Sequence, residues 1–450
     1  MRVLALRNSR IKTHCCYPKA IVMPLLARSS AFSRVTALAE LRPLHAAFRW
    51  LHLNDQVMMR WQTELVAIPA PPFGEAQRSG WMEQQFEVAG LSRVRIDEVG
   101  NVFGELPGGE AEGPVVLLSA HLDTVFPSST VLDPVIKEDR LEAPGACDNA
   151  AGVIGMLGIA HALARSFAGA ETALGATLVF VGNVGEEGEG DLRGIRHLYS
   201  HSEYASRVAA HIVLDGAGAE TAVTQALGSL RFQVTIHGPG GHSFTDAGTP
   251  NPIFILASAL HTVARTPLQN YPDTPRTTMN VGTIAGGTSV NTIPESAMAT
   301  LDFRSTDVRE LLRMEVALHR AVEDAVDFAN LNTASKQADG KVNRPAASVS
   351  FTIVKIGDRP AAELARDSAL LDALKAVDRH LSLRTDLRLG STDANIPLSL
   401  GIPAVSLGAG GEGGGAHTRG EWYSAANREL GLRRVLLLTL AMLEWAKSSR

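Results

Sequence analysis

Val115-Val116-Leu117-Leu118-Ser119-Ala120-His121-Leu122-Asp123-Thr124 is the stretch on which the reading of this chain turns. Its first half is a short apolar run, and His and Asp follow at once. A run of this length bounded by polar residues suits a strand buried on both faces of a parallel sheet. Three more such runs occur, at Leu178–Val181, His211–Leu214 and Ala404–Leu407. Helical spacing lies between several of them, notably over Ala150–Ala164 and Ser368–His380. The alternation predicts an α/β fold, a mixed and largely parallel sheet covered by helices.

Each run is followed by residues able to do chemistry. His121 and Asp123 follow the first, Gly185-Glu186-Glu187-Gly188 the second, Asp215-Gly216 the third, and a glycine-rich stretch with His417-Thr418 the fourth. Asp148-Asn149 stands just before the helix at Ala150. Open α/β sheets bind ligands at the carboxyl ends of their strands. That edge therefore collects two imidazoles and five carboxylates.

Taken singly, each has a bland explanation. A lone His at a strand end is usually structural, Asp-Asn before a helix is usually a cap, and Asp-Gly is often only a turn. Gathered together, the carboxylates would repel and raise one another's pKa unless cations neutralised them. Mixed His and carboxylate sets are what zinc accepts. Asp123, two residues past His121, is placed to orient that imidazole through its second nitrogen.

Between the third and fourth runs the pattern changes. Leu230–His237, Thr278–Ala285, Ala297–Phe303 and Ser348–Ile356 read as strands, with helices over Pro252–Arg265 and Val308–Phe328. The order β-α-β-β-α-β is that of a ferredoxin-like unit. Turn material at Ala226-Leu227-Gly228 and Gly357-Asp358-Arg359-Pro360 closes it on both sides. The expected division is an N-terminal extension over 1–36, a catalytic domain over 37–227 and 358–450, and an inserted domain over 228–357. The first 39 residues carry seven Lys and Arg and no acid, so they are read as a loose extension or mis-assigned start, with a targeting segment as the alternative, and left out of the fold. Gly408–Gly415, mostly glycine, reads as flexible loop.

Composition narrows the function classes. With 450 residues, 45% of them hydrophobic, the chain can build more than one core, and a net charge of −5 gives no basic footprint for nucleic acid. No run approaches the roughly 20 apolar residues of a membrane span. Three cysteines, Cys15, Cys16 and Cys147, form no thiolate metal motif or disulfide framework. A reducing, cytoplasmic setting is the expectation.

His121-Leu122-Asp123-Thr124-Val125, Asp148-Asn149-Ala150-Ala151-Gly152, Gly185-Glu186-Glu187-Gly188, Asp215, Gly240-Gly241-His242-Ser243 and His417 fall in this order along the chain. Together they resemble the M20 family of co-catalytic zinc peptidases over roughly residues 40 to 447. The tripeptidase (peptidase T)-like branch is the nearest in pattern, and the inserted unit resembles that family's lid and dimerisation domain. The resemblance implies two divalent ions per subunit, zinc first, with cobalt or manganese as alternatives. His121 and Asp215 would hold one, Glu187 and His417 the other, and Asp148 both. Glu186 would be the general base, acting on a metal-bridging water, and the peptide bond after Asp148 would be cis. His242 would steady the oxyanion in the partner subunit's site, and Asn291 and Arg304 would hold the substrate's carbonyl or carboxylate.

The expected substrate is a small peptide, and a homodimer through the lid is implied. An N-acyl-amino-acid amidohydrolase or deacetylase, or a glutamate-releasing carboxypeptidase, is the alternative. A non-catalytic metal- or peptide-binding protein on the same scaffold is the reading from another class. Cys147 is expected to be a packing residue, and His161, His197, His201, His211 and His237 to be structural.

Overall fold

A computed structural model describes residues 30–110, 112–168, 174–268, 274, 276–338 and 348–448. The apolar runs form the centre of a nine-stranded mixed sheet. Val115–His121 lies between Thr177–Asn183 and Val208–Leu214 and is parallel to both. Ala404–Leu407 adds in parallel beside Val208–Leu214. Antiparallel strands flank these four: Val102–Leu106 pairs with Thr177–Asn183 on one side, and Thr221–Ala226 with Ala404–Leu407 on the other. All seven residues of Val115–His121 are buried, as a strand covered on both faces requires.

Helices supply the covering layers. Ala150–Phe167 is apolar along most of its length because it lies inside the main core, against the sheet and the Arg42–Leu53 helix. Each large aliphatic side chain it buries contributes about 1.5–3 kcal/mol. The first three helices among the described residues are Ala31–Ala39, Arg42–Leu53 and Asp55–Val66, with Pro43 in the first turn of the second. The first begins inside the span expected to be a loose extension, and Val35 is buried in the core. The boundary at 36 is therefore too late; residues 1–29 lie outside the described residues.

Gly228–His237, Thr277–Gly286, Ser296–Ser305 and Ser350–Arg359 form a separate antiparallel sheet. In order it runs Thr277–Gly286, Ser296–Ser305, Gly228–His237, Ser350–Arg359, the strand order of a ferredoxin-like unit. Pro252–Ala264 and Val308–Ala338 pack on it around a second core that includes Phe232, Phe303 and Leu318. The last strand runs to Arg359, two residues past the expected boundary at 357. Its final residues point the chain straight back into the main domain.

A third, small sheet joins Val135–Lys137 and Arg140–Glu142 to Glu412–Gly414 and Trp422–Ser424. It brings the segment before Asp148 against the segment around His417. Here the glycine run departs from the flexible loop expected of it. Gly408 to Gly411 are buried, and a side chain on Gly408 would lie 2.3 Å from the carbonyl oxygen of Ala217. Glycine is needed because two backbones nearly touch.

Candidate metal centre

The carboxyl edge of the parallel strands brings His121, Asp148, Glu186, Glu187, Asp215 and His417 into one cluster. His121 ends its strand, and its Nε2 lies 3.2 Å from Asp148 Oδ1 and 3.7 Å from Asp215 Oδ1. His417 Nε2 lies 3.0 Å from Asp148 Oδ2 and 2.9 Å from Glu187 Oε1. Asp148 thus stands between the two imidazoles, one carboxylate oxygen towards each. The side chains form three overlapping groups, His121–Asp148–Asp215, His121–Glu186–Glu187 and Asp148–Glu187–His417. In each, the potential ligand atoms lie within 4.8 Å of one another.

Three side chains from other loops fix these positions through backbone amides. Asp123 accepts from Glu186 N–H at 3.0 Å and Glu187 N–H at 2.8 Å, which presents the adjacent acids in defined directions. His121 Nδ1 lies nearer the carbonyl of Asp123, at 3.1 Å, than its carboxylate, at 3.6 Å. The carboxylate of Asp123 therefore serves the Glu186–Glu187 turn at least as directly as it serves the imidazole. Asn149 caps the Ala150–Phe167 helix by accepting from Gly152 N–H, and also accepts from Gly216 N–H beside Asp215. Capping and site-building are one act at this residue. The Asp148–Asn149 peptide bond is cis.

Glu421 is the third clamp. It is fully buried, and its oxygens accept from Gly145 N–H at 2.8 Å, Cys147 N–H at 2.8 Å and Asp148 N–H at 2.7 Å. Sequence reasoning missed it: Thr418-Arg419-Gly420-Glu421 has no apolar period, and its one signal is an acid four residues after His417. Asp393, also missed, lies buried under the site and accepts from Asn183 Nδ2 at 2.7 Å. Burial pushes its carboxyl up to about 7.

The electrostatics show a site short of positive charge. Burial alone would lower His121, yet hydrogen bonds to Asp123, Asp148 and Asp215 overcome it and leave its pKa well above the usual imidazole range. Hydrogen bonding to Asp148 raises His417 to about 9. Burial also pushes Glu186 and Glu187 up. All four groups are thus biased towards their protonated forms. Asp148 Oδ1 is buried, with the His121 imidazole at 3.2 Å. A surplus of carboxylates over imidazoles, converging on one space, fits two divalent ions held by His and carboxylate ligands.

A cavity of about 360 Å³ opens onto these residues, within the range of small-ligand pockets. Arg231, Arg304 and Arg359 of the inserted domain line it together with Glu186, Glu187 and His417. Arg304 pairs with Asp302 at 2.7 Å while facing this space. Arg359 is buried against Glu186, with Nη1 2.9 Å from Oε1. In the sequence Arg359 reads only as turn material.

His242 and Asn291 are placed elsewhere. Gly241–His242 pairs with Thr292–Ile293, and Ser243 N–H donates to the Asn291 carbonyl at 3.0 Å. The two residues sit side by side on an exposed part of the inserted domain and do not line the cavity. Cys147 is buried, its thiol pushed up to about 12 by burial, as suits packing. His211 bridges Ser119 and Tyr199, and His161 stacks between Trp50 and Trp61.

The sequence pattern of peptidase family M20/M25/M40 matches residues 117–441, most of the chain and both sides of the inserted domain. The chain belongs to that family. This M20 protein is 27% identical over 374 residues to succinyl-diaminopimelate desuccinylase of Corynebacterium glutamicum, covering 82% of this chain and 92% of the relative. Its fold is shared by aminopeptidase PepT of Bacillus cereus, with a TM-score of 0.64 and 20% identity over 86% of this chain and 98% of the other. A tripeptidase of Staphylococcus aureus gives the same TM-score with 23% identity, over 88% and 99%. The M20 protein is thus a metal-dependent hydrolase of the M20/M25/M40 peptidase family.

Proposed function

We propose that the chain hydrolyses the peptide bond of di- or tripeptides, with zinc as the preferred pair of ions. One observation carries this reading: Asp148 is shared between the His121–Asp215 and Glu187–His417 groups, with the Glu186 carboxyl beside them and held by Arg359 instead. The kinship with an aminopeptidase and a tripeptidase supports peptides as substrates.

Bound divalent ions would supply Lewis acidity, lowering the pKa of water and polarising the scissile carbonyl. His121, Asp148, Asp215, Glu187 and His417 would hold them. Glu186 accepts the proton of the attacking water and then delivers it to the leaving nitrogen. It suits this role because it is close to the ligands while its Oε1 is committed to Arg359. Arg304, facing the cavity, takes the substrate's carboxylate as a fork of donors. His242 steadies the oxyanion from a second copy, in keeping with its exposure on the inserted domain, and Asn291 beside it holds the substrate's carbonyl. A homodimer through that domain and a cytoplasmic location belong to the same reading.

A second reading, hydrolysis of N-acyl amino acids, is favoured by the similarity to a desuccinylase. A panel of free dipeptides, tripeptides, N-acetyl and N-succinyl amino acids, assayed on protein of measured metal content, separates the two. Turnover confined to the acylated compounds overturns the peptidase reading. Bound metal with no turnover of any amide overturns both.

A further inference from the structure

The loop that carries Glu186 and Glu187 is gripped from two domains. Asp123 holds its amides from the main domain. From the inserted domain, Arg231 Nη1 donates to the Gly188 carbonyl at 3.0 Å, and Asp358 N–H donates to Asp191 Oδ2 at 3.0 Å. Arg196, on the helix after the loop, donates to the carbonyls of both Asp191 and Asp358. Arg359 makes the most direct contact, donating through Nη1 to Glu186 Oε1 and through Nη2 to the carbonyl of the same residue. Both side chains are almost sealed from solvent, Arg359 at 6% exposure and Glu186 at 7%.

We propose that Arg359 is a positioning residue that sets the Glu186 side chain for proton transfer and makes its placement depend on the seating of the inserted domain. The inference rests on the hydrolase reading above. A fork that grips one oxygen and the backbone of the same residue fixes both the origin and the direction of that side chain. None of its contacts involves Oε2, which is left for the proton. Arg359 is the last residue of its strand, immediately before Pro360 and the return to the main domain. Any rotation of the inserted domain about this point would pull on the base first. A buried guanidinium facing a buried carboxylate is also a pair that cannot lose one member cheaply.

The test compares wild type, Arg359→Met and Arg359→Lys, each loaded with zinc, on a tripeptide and an N-acetyl amino acid. Arg359→Met is expected to lower kcat by about 100-fold, the loss that misplacing a reacting group by about 1 Å can cause. KM and the two bound ions per chain should change little, and Arg359→Lys or added methylguanidinium should restore part of kcat. In a Glu186→Ala background, Arg359→Met should cost nothing further, because its effect passes through the missing carboxylate. In the metal-free protein, hydrogen exchange across 185–191 should be faster in Arg359→Met than in wild type. A raised KM with kcat kept would make Arg359 a substrate ligand and overturn the proposal, as would additive losses in the double variant or loss of metal. An active wild type with an ordinary Arg359→Met variant sinks this inference alone. A wild type that hydrolyses nothing sinks the hydrolase reading and this with it.

Discussion

Glu421 lies directly beneath Asp148, its Oε1 accepting the Asp148 amide at 2.7 Å and the neighbouring Cys147 amide at 2.8 Å. The acid shared by both halves of the candidate metal centre is thus aimed by an acid from a loop far along the chain. Glu421→Gln would turn an NH₂ group towards one of three amides that now meet a carboxylate oxygen. Metal affinity should fall about 10–100-fold, as for other outer partners of metal ligands. Competition with a chelator of known affinity measures it, and unchanged affinity would remove Glu421 from the site.

Glu186→Ala should lower kcat by about 10²–10⁴-fold, the usual span for losing a general base. Both ions should remain, because five other side chains converge on them. Metal analysis beside the kinetics decides the point; loss of an ion would reassign Glu186 as a ligand.

Chelation should abolish turnover, with zinc, cobalt or manganese restoring it. Re-adding metal at about 100 times its Kd should also stabilise the fold by about 2.7 kcal/mol per site, visible as a rise in melting temperature. Activity surviving complete metal removal contradicts the mechanism.

The metal-free protein should lose stability between pH 4 and 9. Burial raises Asp393 to about 7, so the folded chain keeps a proton that the unfolded chain releases near pH ~3.9, and stability falls as pH climbs to 7. The His417 contribution, resting first on its hydrogen bond to Asp148, is full below pH ~6.5 and is lost as pH rises through about 9. Asp148 acts in the opposite sense: burial pushes it up, but hydrogen bonds to His121 and His417 hold it low, so its contribution disappears only in strong acid. Melting curves across this range should flatten at pH 4–7 in Asp393→Asn and at pH 6.5–9 in His417→Gln. Melting temperatures that rise with pH would reject the assignment.

Much of this architecture was legible in the sequence, for a local reason. Parallel strands buried on both faces read as apolar runs, and the proposed ligands sit within a few residues of three run ends, so periodicity finds both together. Gly408–Gly411 shows where reading along the chain stops. Glycine-rich composition is shared by mobile loops and by backbones pressed together, and only the nearness of Ala217 tells them apart. Glu421 and Arg359 were invisible for a related reason: their partners, Asp148 and Glu186, lie 273 and 173 positions away. The Ala31–Ala39 helix is hidden in the sequence by its basic, acid-poor surroundings, because the burial of Val35 depends on helices far along the chain.

The Asp148–Glu421 clamp also orders events during synthesis. A chain still threading through the ribosome can complete the Val115–His121 and Thr177–Asn183 pairing and expose its first acids long before residue 421 emerges. Until then the loop carrying Asp148 lacks the three amide anchors that aim it. The loop carrying Asp148 can be aimed only once residue 421 has been made, after both of those strands and the inserted domain.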